Sequence, residues 1–344
     1  MSQPGAPSPS VTDAPTLSST LELAVVEALR APSTLNTQPW AFALHADGVS
    51  LYADRTRRLA SIDPDDRALT IACGAALHPL RTALARFGWR THTTLLPDAA
   101  QPDLMARVEL VEQVEVAPEM VPLFEAIGER RSNRRPFLQM PVPEEVVQKL
   151  RAAATVEGAA LEAVDDPEAQ AKLIELVMEG ERLQWADPKF RAELARWVRS
   201  PDGDARDGIV LDDHTGGNLD TLAARWAIRL LDRGVASAHH NRDLAEASPL
   251  LMVLGTDGDT PRDWLRAGEA LSRVLLVATA EGLSASFLNQ PVERPELRYL
   301  VRDLVVVDGQ AERDMKPQVV LRLGYGPDVG PTARRPLREV LRLG

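Results

Sequence analysis

Apolar and polar positions along the chain fall into two series of similar form. In the first, the runs "VSLYAD" and "ARVELVE" flank the long small-residue segment "IACGAALHPLRTALARFGW". In the second, "PLLMVLG" and "PQVVLRLGY" flank "LRAGEALSRVLLVATAEGL". Short β-branched runs predict strands, and the longer segments carry helical spacing. Gly74, Ala76, Leu77, Gly88 and Pro97 of the first series recur as Gly268, Ala270, Leu271, Gly282 and Pro291, at a constant offset of 194 residues. Self-similarity at a fixed offset is the mark of an internal repeat.

A second register appears nearer the start. Leu29, Arg30, Ala31 and Thr34 match Leu150, Arg151, Ala152 and Thr155 at an offset of 121. The two offsets differ by 73, which predicts an insertion in the second half between roughly Asp165 and Ala245. The expected organisation is a tail over residues 1–20, a first half over 21–125 and a second half over 126–344. Each half reads helix, strand, long helix, strand, so the fold class is α+β, with two copies packed through their small-residue helices. Ordinary core packing within one half would use the same glycines and alanines. The insertion carries amphipathic patterns with Trp185, Phe190 and Trp197, then the Gly/Asp-rich "SPDGDARDGIVLDDHTGG". Residues 179–218 are therefore either a lid over a site or a hairpin covering the core.

The first twenty residues are rich in Pro, Ser and Thr and hold no Lys or Arg, which predicts a disordered lead-in and not a signal peptide. No apolar run approaches the roughly 20 residues that cross a bilayer. A cytoplasmic protein without a membrane partner is expected.

Composition narrows the chemistry. At 344 residues and 44% hydrophobic content the chain can bury a large core. Its 39 basic and 50 acidic residues give a net charge of −11, which disfavours nucleic acid as a partner. Cys73, the single cysteine, lies in the apolar "TIACGAAL" and reads as a buried small hydrophobe. His239 and His240 read as surface residues. Serine-triad, metal-ligand and paired-carboxylate patterns do not stand out, nor does a glycine-rich phosphate loop.

Two polar stretches are asymmetric between the halves. Where the first half has "APSTLNTQPW", the 121 register sets "AAATVEGAAL", so Ser33, Asn36 and Gln38 have no polar partners in the copy except Glu157 opposite Asn36. Side-chain amides offer donors and acceptors together and suit a heterocycle or a sugar alcohol; a polar turn after a helix would look the same. Conversely, "IGERRSNRRPF" gathers Arg130, Arg131, Arg134 and Arg135 around Ser132 in an acidic protein. Arginine forks and a hydroxyl match a phosphate, with solvated charge as the alternative. Arg334 and Arg335 in "GPTARRPLREV" could close on the same anion.

Taken together, "APSTLNTQPW", "RRSNR", "GLSASFLNQP" and "ARRP" resemble the flavin-dependent nitroreductases, and within them the Acg-like branch. The resemblance implies a nitroreductase-like fold, internally duplicated as a pseudo-dimer in one monomeric chain with one composite FMN site. It assigns the ribityl phosphate to Arg130, Arg131, Ser132 and Arg134, with Arg334 and Arg335 beside them. Ser33, Asn36 and Gln38 would reach the flavin from the other half. Leu288, Asn289 and Gln290 would line the ring, with the backbone N–H groups of Asn289 and Gln290 at the N5 and O4 edge. The implied activity passes hydride from NADH or NADPH through FMN to a small organic acceptor. The alternative is an FMN-sequestering protein whose insertion covers the site.

Overall fold

The computed structural model describes residues 17–200, 203–210, 228–229, 234–246, 248–305 and 315–342. Most of the expected tail, and residues 201–202 and 211–217 of the Gly/Asp-rich stretch, lie outside these residues. Residues 17–20, expected in the tail, form the first turn of helix α1 (Leu17–Ala28).

Two four-stranded antiparallel sheets organise the chain. The first contains β1 (Trp40–His45), β2 (Gly48–Ala53), β3 (Trp89–Leu95) and β4 (Leu104–Gln113), in the order β1-β2-β4-β3. The second contains β5 (Ala160–Ala163), β8 (Leu250–Thr256), β9 (Ser284–Phe287) and β10 (Lys316–Gly324), in the order β5-β8-β10-β9. Helix α1 precedes the first sheet and α4 (Glu144–Val156) the second. Helix α2 (Arg67–Arg86) and helix α8 (Pro261–Ala280) occupy the same place in each half. The unit is helix, two strands, long helix, two strands, so each half has two strands more than the sequence pattern suggests. These two extra strands, β1 and β3 in one half and β5 and β9 in the other, are short or mixed in polarity and give no clean alternation.

The halves meet through α2 and α8. A Cβ on Gly74 would fall 2.1 Å from the carbonyl oxygen of Leu265, and one on Gly268 would fall 2.0 Å from that of Ile71. Each residue of one contact lies 194 positions from its counterpart in the other. Such reciprocity is what a two-fold relation between equal surfaces requires.

The strands correct the 121 register. Phe42 pairs with Leu51 and Leu161 with Leu254, both next to the equivalent bulge, so Phe42 and Leu161 correspond at an offset of 119. In the helices, buried Thr20, Leu21, Ala24 and Ala28 recur as Val146, Val147, Leu150 and Ala154, an offset of 126. The helix-to-strand connection is therefore seven residues longer in the first half. The stretch from Leu29 onward is an extra loop, and α4 runs on as helix through the positions that the 121 register had set against it.

The insertion separates β5 from β8, where the first half turns directly from His45 to Gly48. It supplies α5 (Pro167–Ala186), α6 (Pro188–Trp197), the short parallel pair β6 (Val198–Arg199) and β7 (Ile209–Val210), and α7 (Gly234–Glu246). Leu173, Leu176 and Val177 of α5 and Ala245 of α7 pack on Leu251 and Val253 of β8. Leu250, Met252 and Leu254 face α4 and α8 on the other side. A strand covered on both faces has no polar side, hence the unbroken "LLMVLG".

Two connectors cross between halves. Helix α3 (Met120–Glu129) leads to a segment that bridges to β9 through Ser132 and Ala285. Beyond β10, helix α9 (Pro295–Arg302) having packed beneath it, the chain returns to the first half and ends in α10 (Leu337–Val340), where Arg342 N–H donates to Phe42 O at 2.8 Å. Helix α2 is long and apolar enough to cross a membrane by length and composition, which the sequence reading missed, yet most of it is buried in the protein. Cys73 on α2 is fully buried, and burial pushes its thiol pKa up.

Candidate functional site

The extra loop of the first half is strained. Leu35, Asn36 and Gln38 have φ of 51°, 54° and 51°. Left-handed backbone costs a non-glycine residue roughly 1–2 kcal/mol, and such clusters persist where the surroundings hold them for a purpose. Here the holding groups come from the second half. Asn36 Nδ2 donates to Ala333 O at 3.2 Å, and Arg334 Nη1 donates to Asn36 Oδ1 at 3.1 Å. The fully buried Gln38 accepts from Arg335 N–H at 2.8 Å and donates to Arg206 O at 2.7 Å. Ser33 Oγ accepts from Gln38 N–H at 2.9 Å.

The arginine-rich segment divides in two. Arg130 is buried and donates to Arg30 O, and Arg131 folds back onto Gly128 O and Arg130 O. Ser132 and Arg134 instead face a cavity. Beneath them lies Arg322, fully buried over the Phe137 ring at 4.0 Å. Its Nη2 donates to Asn133 O and Arg135 O, which fixes the carbonyls on either side of Arg134. Burial and neighbouring guanidinium groups lower the pKa of these cations: Arg130 to about 9, beside Arg334 and Arg131; Arg334 to about 10, beside Arg131 and Arg30; and Arg322 to about 10, beside Arg134. Crowded cations of this kind favour an anion among them.

The cavity measures about 650 Å³, within the roughly 300–1,000 Å³ of small-molecule sites. It lies between the halves. Ala68, Ile71, Ala72 and Ala75 form one wall, at helical spacing along α2, and Leu271 of α8 joins them. Phe287, Asn289, Gln290 and Glu293 form a second. Arg67, Gln318 and Val319 close the far end: Arg67 donates to Gln318 O at 2.9 Å, to Gln318 Oε1 at 3.0 Å and to Val292 O at 2.7 Å.

The insertion forms the remaining side, through Gln184, Phe190, Ser200, Asp207, Ile209 and Val210. Besides the Gln38 amide on Arg206 O, it is tied to the first half at three further points among the described residues. Arg57 pairs with Asp207, which also takes Arg199 at 2.8 Å, and both arginines lie over the Trp197 ring at 5.4 and 5.3 Å. Glu193 Oε2 accepts from Ser61 and Ile62 N–H at 2.8 and 2.9 Å. Gly208 N–H donates to Asn36 O at 3.2 Å.

Of the residues singled out from the sequence, Ser33, Asn36, Ser132, Arg134, Asn289, Gln290 and Arg334 line this one cavity. Gln38, Arg130, Arg131, Leu288 and Arg335 do not. Leu288 is core, its side chain pointing to the opposite sheet face, and Arg335 turns to Asp54 and the Glu339 carbonyl. These residues carry the scaffold around the cavity. His239 is exposed and away from it, and the side chain of His240 lies outside the described residues. Sequence reasoning missed Arg67, Gln184, Glu293 and Gln318. Only the i, i+3, i+4, i+7 row of small residues beginning at Ala68 hinted at the α2 wall.

The two-fold relation locates a mirror position, and it is filled. Ala68, Ala72 and Ala75 have as counterparts Arg262, Arg266 and Glu269. Arg262 donates to the carbonyl of Leu95, the counterpart of Asn289, at 3.0 Å. Glu269 pairs with Arg81 at 2.5 Å, and Arg81 with Glu157 at 3.0 Å, in the short connection that replaces the strained loop. Glu269 is thus buried where Ala75 leaves room in the other half, while Arg262 and Arg266 are exposed at its edge.

The chain matches the nitroreductase family over residues 127–325, more than half its length. It is 33% identical to an uncharacterised Mycobacterium tuberculosis protein, over 94% of this chain and 93% of that one. It is 31% identical to a second protein of that organism, provisionally named an NAD(P)H nitroreductase, over 96% of this chain and 92% of the relative. The provisionally named NAD(P)H nitroreductase acg of the same organism is 28% identical over 94% of this chain and 95% of its own. Among solved structures, a nitroreductase with bound FMN from Bacteroides fragilis is 16% identical, covering 60% of this chain and 88% of that one with a TM-score of 0.34. The chain belongs to the nitroreductase family, in its Acg-like branch.

Proposed function

We propose that the protein is an FMN-binding oxidoreductase of nitroreductase type that passes hydride from NADH or NADPH to a small organic acceptor. The observation that carries this reading is a cavity between the two halves with a cationic end, Ser132, Arg134 and Arg334, and a wall on α2 built mostly of alanines. Among the described residues, two buried polar atoms of its lining have no hydrogen-bond partner: Arg334 Nε, a donor, and Gln290 Oε1, an acceptor. A phosphate needs the first kind of group and a ring bearing N–H donors needs the second, so the residues present fit FMN. Ser132, Arg134 and Arg334 would hold the phosphate, the alanine wall would support the ring, and Asn289 with Gln290 would meet its polar edge. Bound FMN would supply two-electron chemistry, with the protein orienting the reactants and excluding water. Both halves of the site come from one chain, so a monomer suffices, and we take it to be cytoplasmic.

The test is the flavin content of the purified protein together with its anaerobic bleaching by NADH and NADPH. One FMN per chain and bleaching by either donor are expected. Two flavins per chain would contradict the filled mirror position, and none would overturn the reading. The ties of the insertion to the first half favour a second reading, an FMN store. It predicts bound flavin that neither donor reduces at a useful rate.

A further inference from the structure

Resting on the oxidoreductase reading above, we propose that Glu293 is the proton donor to the acceptor reduced in this cavity. Glu293 sits at the end of a turn in which its N–H and that of Val292 both donate to Asn289 O at 3.0 Å. The turn brings its side chain into the cavity wall beside Asn289 and Gln290. One carboxyl oxygen accepts from Gln184 Nε2 at 2.7 Å, which orients the group. Among the described residues it makes no ion pair. The guanidinium facing it, that of Arg67, is spent on Val292 O and on Gln318. The other charged groups that face it are both acids: Asp63, which caps the start of α2 through Ala68 and Leu69 N–H, and Glu181 of α5.

Glu181 shows what a carboxylate held for structure looks like in the same protein. It accepts from Trp185 Nε1 at 2.8 Å, Asn241 Nδ2 at 3.0 Å, Gln290 Nε2 at 2.8 Å and the Ser237 hydroxyl, and it does not line the cavity. Among the described residues Glu293 has a single donor, and it faces the cavity. Burial pushes its pKa up to about 7, opposed by the Gln184 hydrogen bond and Arg67 and reinforced by Asp63 and Glu181. A carboxyl whose pKa is raised towards neutrality is suited to general acid work.

The balance requires a second proton. NAD(P)H supplies two electrons and one proton as hydride, whereas an acceptor reduced to its dihydro form gains two electrons and two protons. Glu293 supplies the second: its O–H bond breaks as a bond to the acceptor forms, and the carboxylate takes a new proton from solvent. The donor form is lost as pH rises through about 7.

The experiment compares two acceptors on the pre-reduced holoprotein by stopped flow. A quinone takes up protons on reduction, and ferricyanide does not. In Glu293→Gln, which keeps the Gln184 hydrogen bond, the quinone rate should fall at least about tenfold relative to the ferricyanide rate, since general acids contribute roughly 10²–10⁴-fold. Glu293→Asp should restore part of the quinone rate and keep its decline with rising pH. Infrared difference spectra taken below and above neutrality should show a protonated carboxyl that is missing in Glu293→Gln. This last measurement needs no turnover and can be made without flavin. Equal losses with both acceptors, or a Glu293 carboxylate already ionised below neutrality, would overturn the proposal. Failure to bind or reduce flavin at all would instead overturn the oxidoreductase reading.

Discussion

Arg57 of the first half and Asp207 of the insertion form an ion pair beside the cavity, and their two carrier segments have no covalent reason to meet. Asp207 receives Arg199 as well, so one carboxylate bridges two guanidinium groups that share the Trp197 ring. Hydrogen bonds raise the cost of protonating it, and its pKa is lowered despite burial.

Asp207→Asn should therefore loosen the insertion without touching the cationic end of the cavity. Charge-assisted hydrogen bonds contribute roughly 1.5–3 kcal/mol, which partial exposure here reduces, so flavin release should quicken about tenfold. Flavin fluorescence during dissociation measures it. An unchanged release rate would make the insertion a packing element alone.

Arg134→Ala and Ser132→Ala should weaken FMN more than riboflavin, by about tenfold for the arginine. Binding titrations of the apoprotein with the two flavins separate this from a general loss of fold. Arg130→Ala should instead weaken both equally and lower the melting temperature, since Arg130 Nη2 holds the Arg30 carbonyl and faces no cavity.

Gly74→Ala should be among the most destabilising single-methyl additions in the chain. The new carbon would fall 2.1 Å from one backbone oxygen, and helices, not flexible side chains, would have to separate. Overpacking costs roughly 1–3 kcal/mol and occasionally more, and this contact lies at the upper end because backbone must give way. Urea unfolding of Gly74→Ala and Gly268→Ala should give similar losses, because each methyl meets the counterpart of the same carbonyl.

His78 gives a pH-dependent prediction. It is buried, its Nδ1 has no partner among the described residues, and burial lowers its pKa to about 3, opposed by Glu157. The unfolded chain binds its proton near pH 6.5 and the folded one does not, so stability contributed by neutral His78 is lost as pH falls from about 6.5 towards 3. His78→Gln should remove that part of the acid limb. The stability difference between wild type and variant, by denaturant titration, should shrink on acidification; a difference independent of pH would mean that His78 does not titrate over this range.

Much of the fold was legible in particular residues. Gly74 and Gly268 announced the pairing of α2 and α8 because a close helix crossing admits little else, and the pattern around them survived without a gap. The 121 register failed because a four-residue match between the residues that follow one helix and the last turns of another carries no packing constraint. At the site, Ser132 and Arg134 were visible because arginines clustered in an acidic chain have few uses. Gln38 was legible as important but not as to why: its amide joins the tail at Arg335 to the insertion at Arg206, which only the tertiary arrangement reveals. Arg67 and Glu293 drew no notice in the sequence, since nothing local marks a side chain as facing an internal wall.

The filled mirror position bears on how such a chain can change. In a homodimer every substitution is made twice, so a residue that improves one site is imposed on the other. Here Ala75 and Glu269 stand at equivalent places and carry opposite instructions, one leaving room and the other closing it. The closed side is relieved of ligand chemistry and can hold the partner helix in register through Arg81 and Glu157. The open side can then accept strained loops and crowded guanidinium groups, because its supports lie across the axis and need not accommodate a second copy of the same demands.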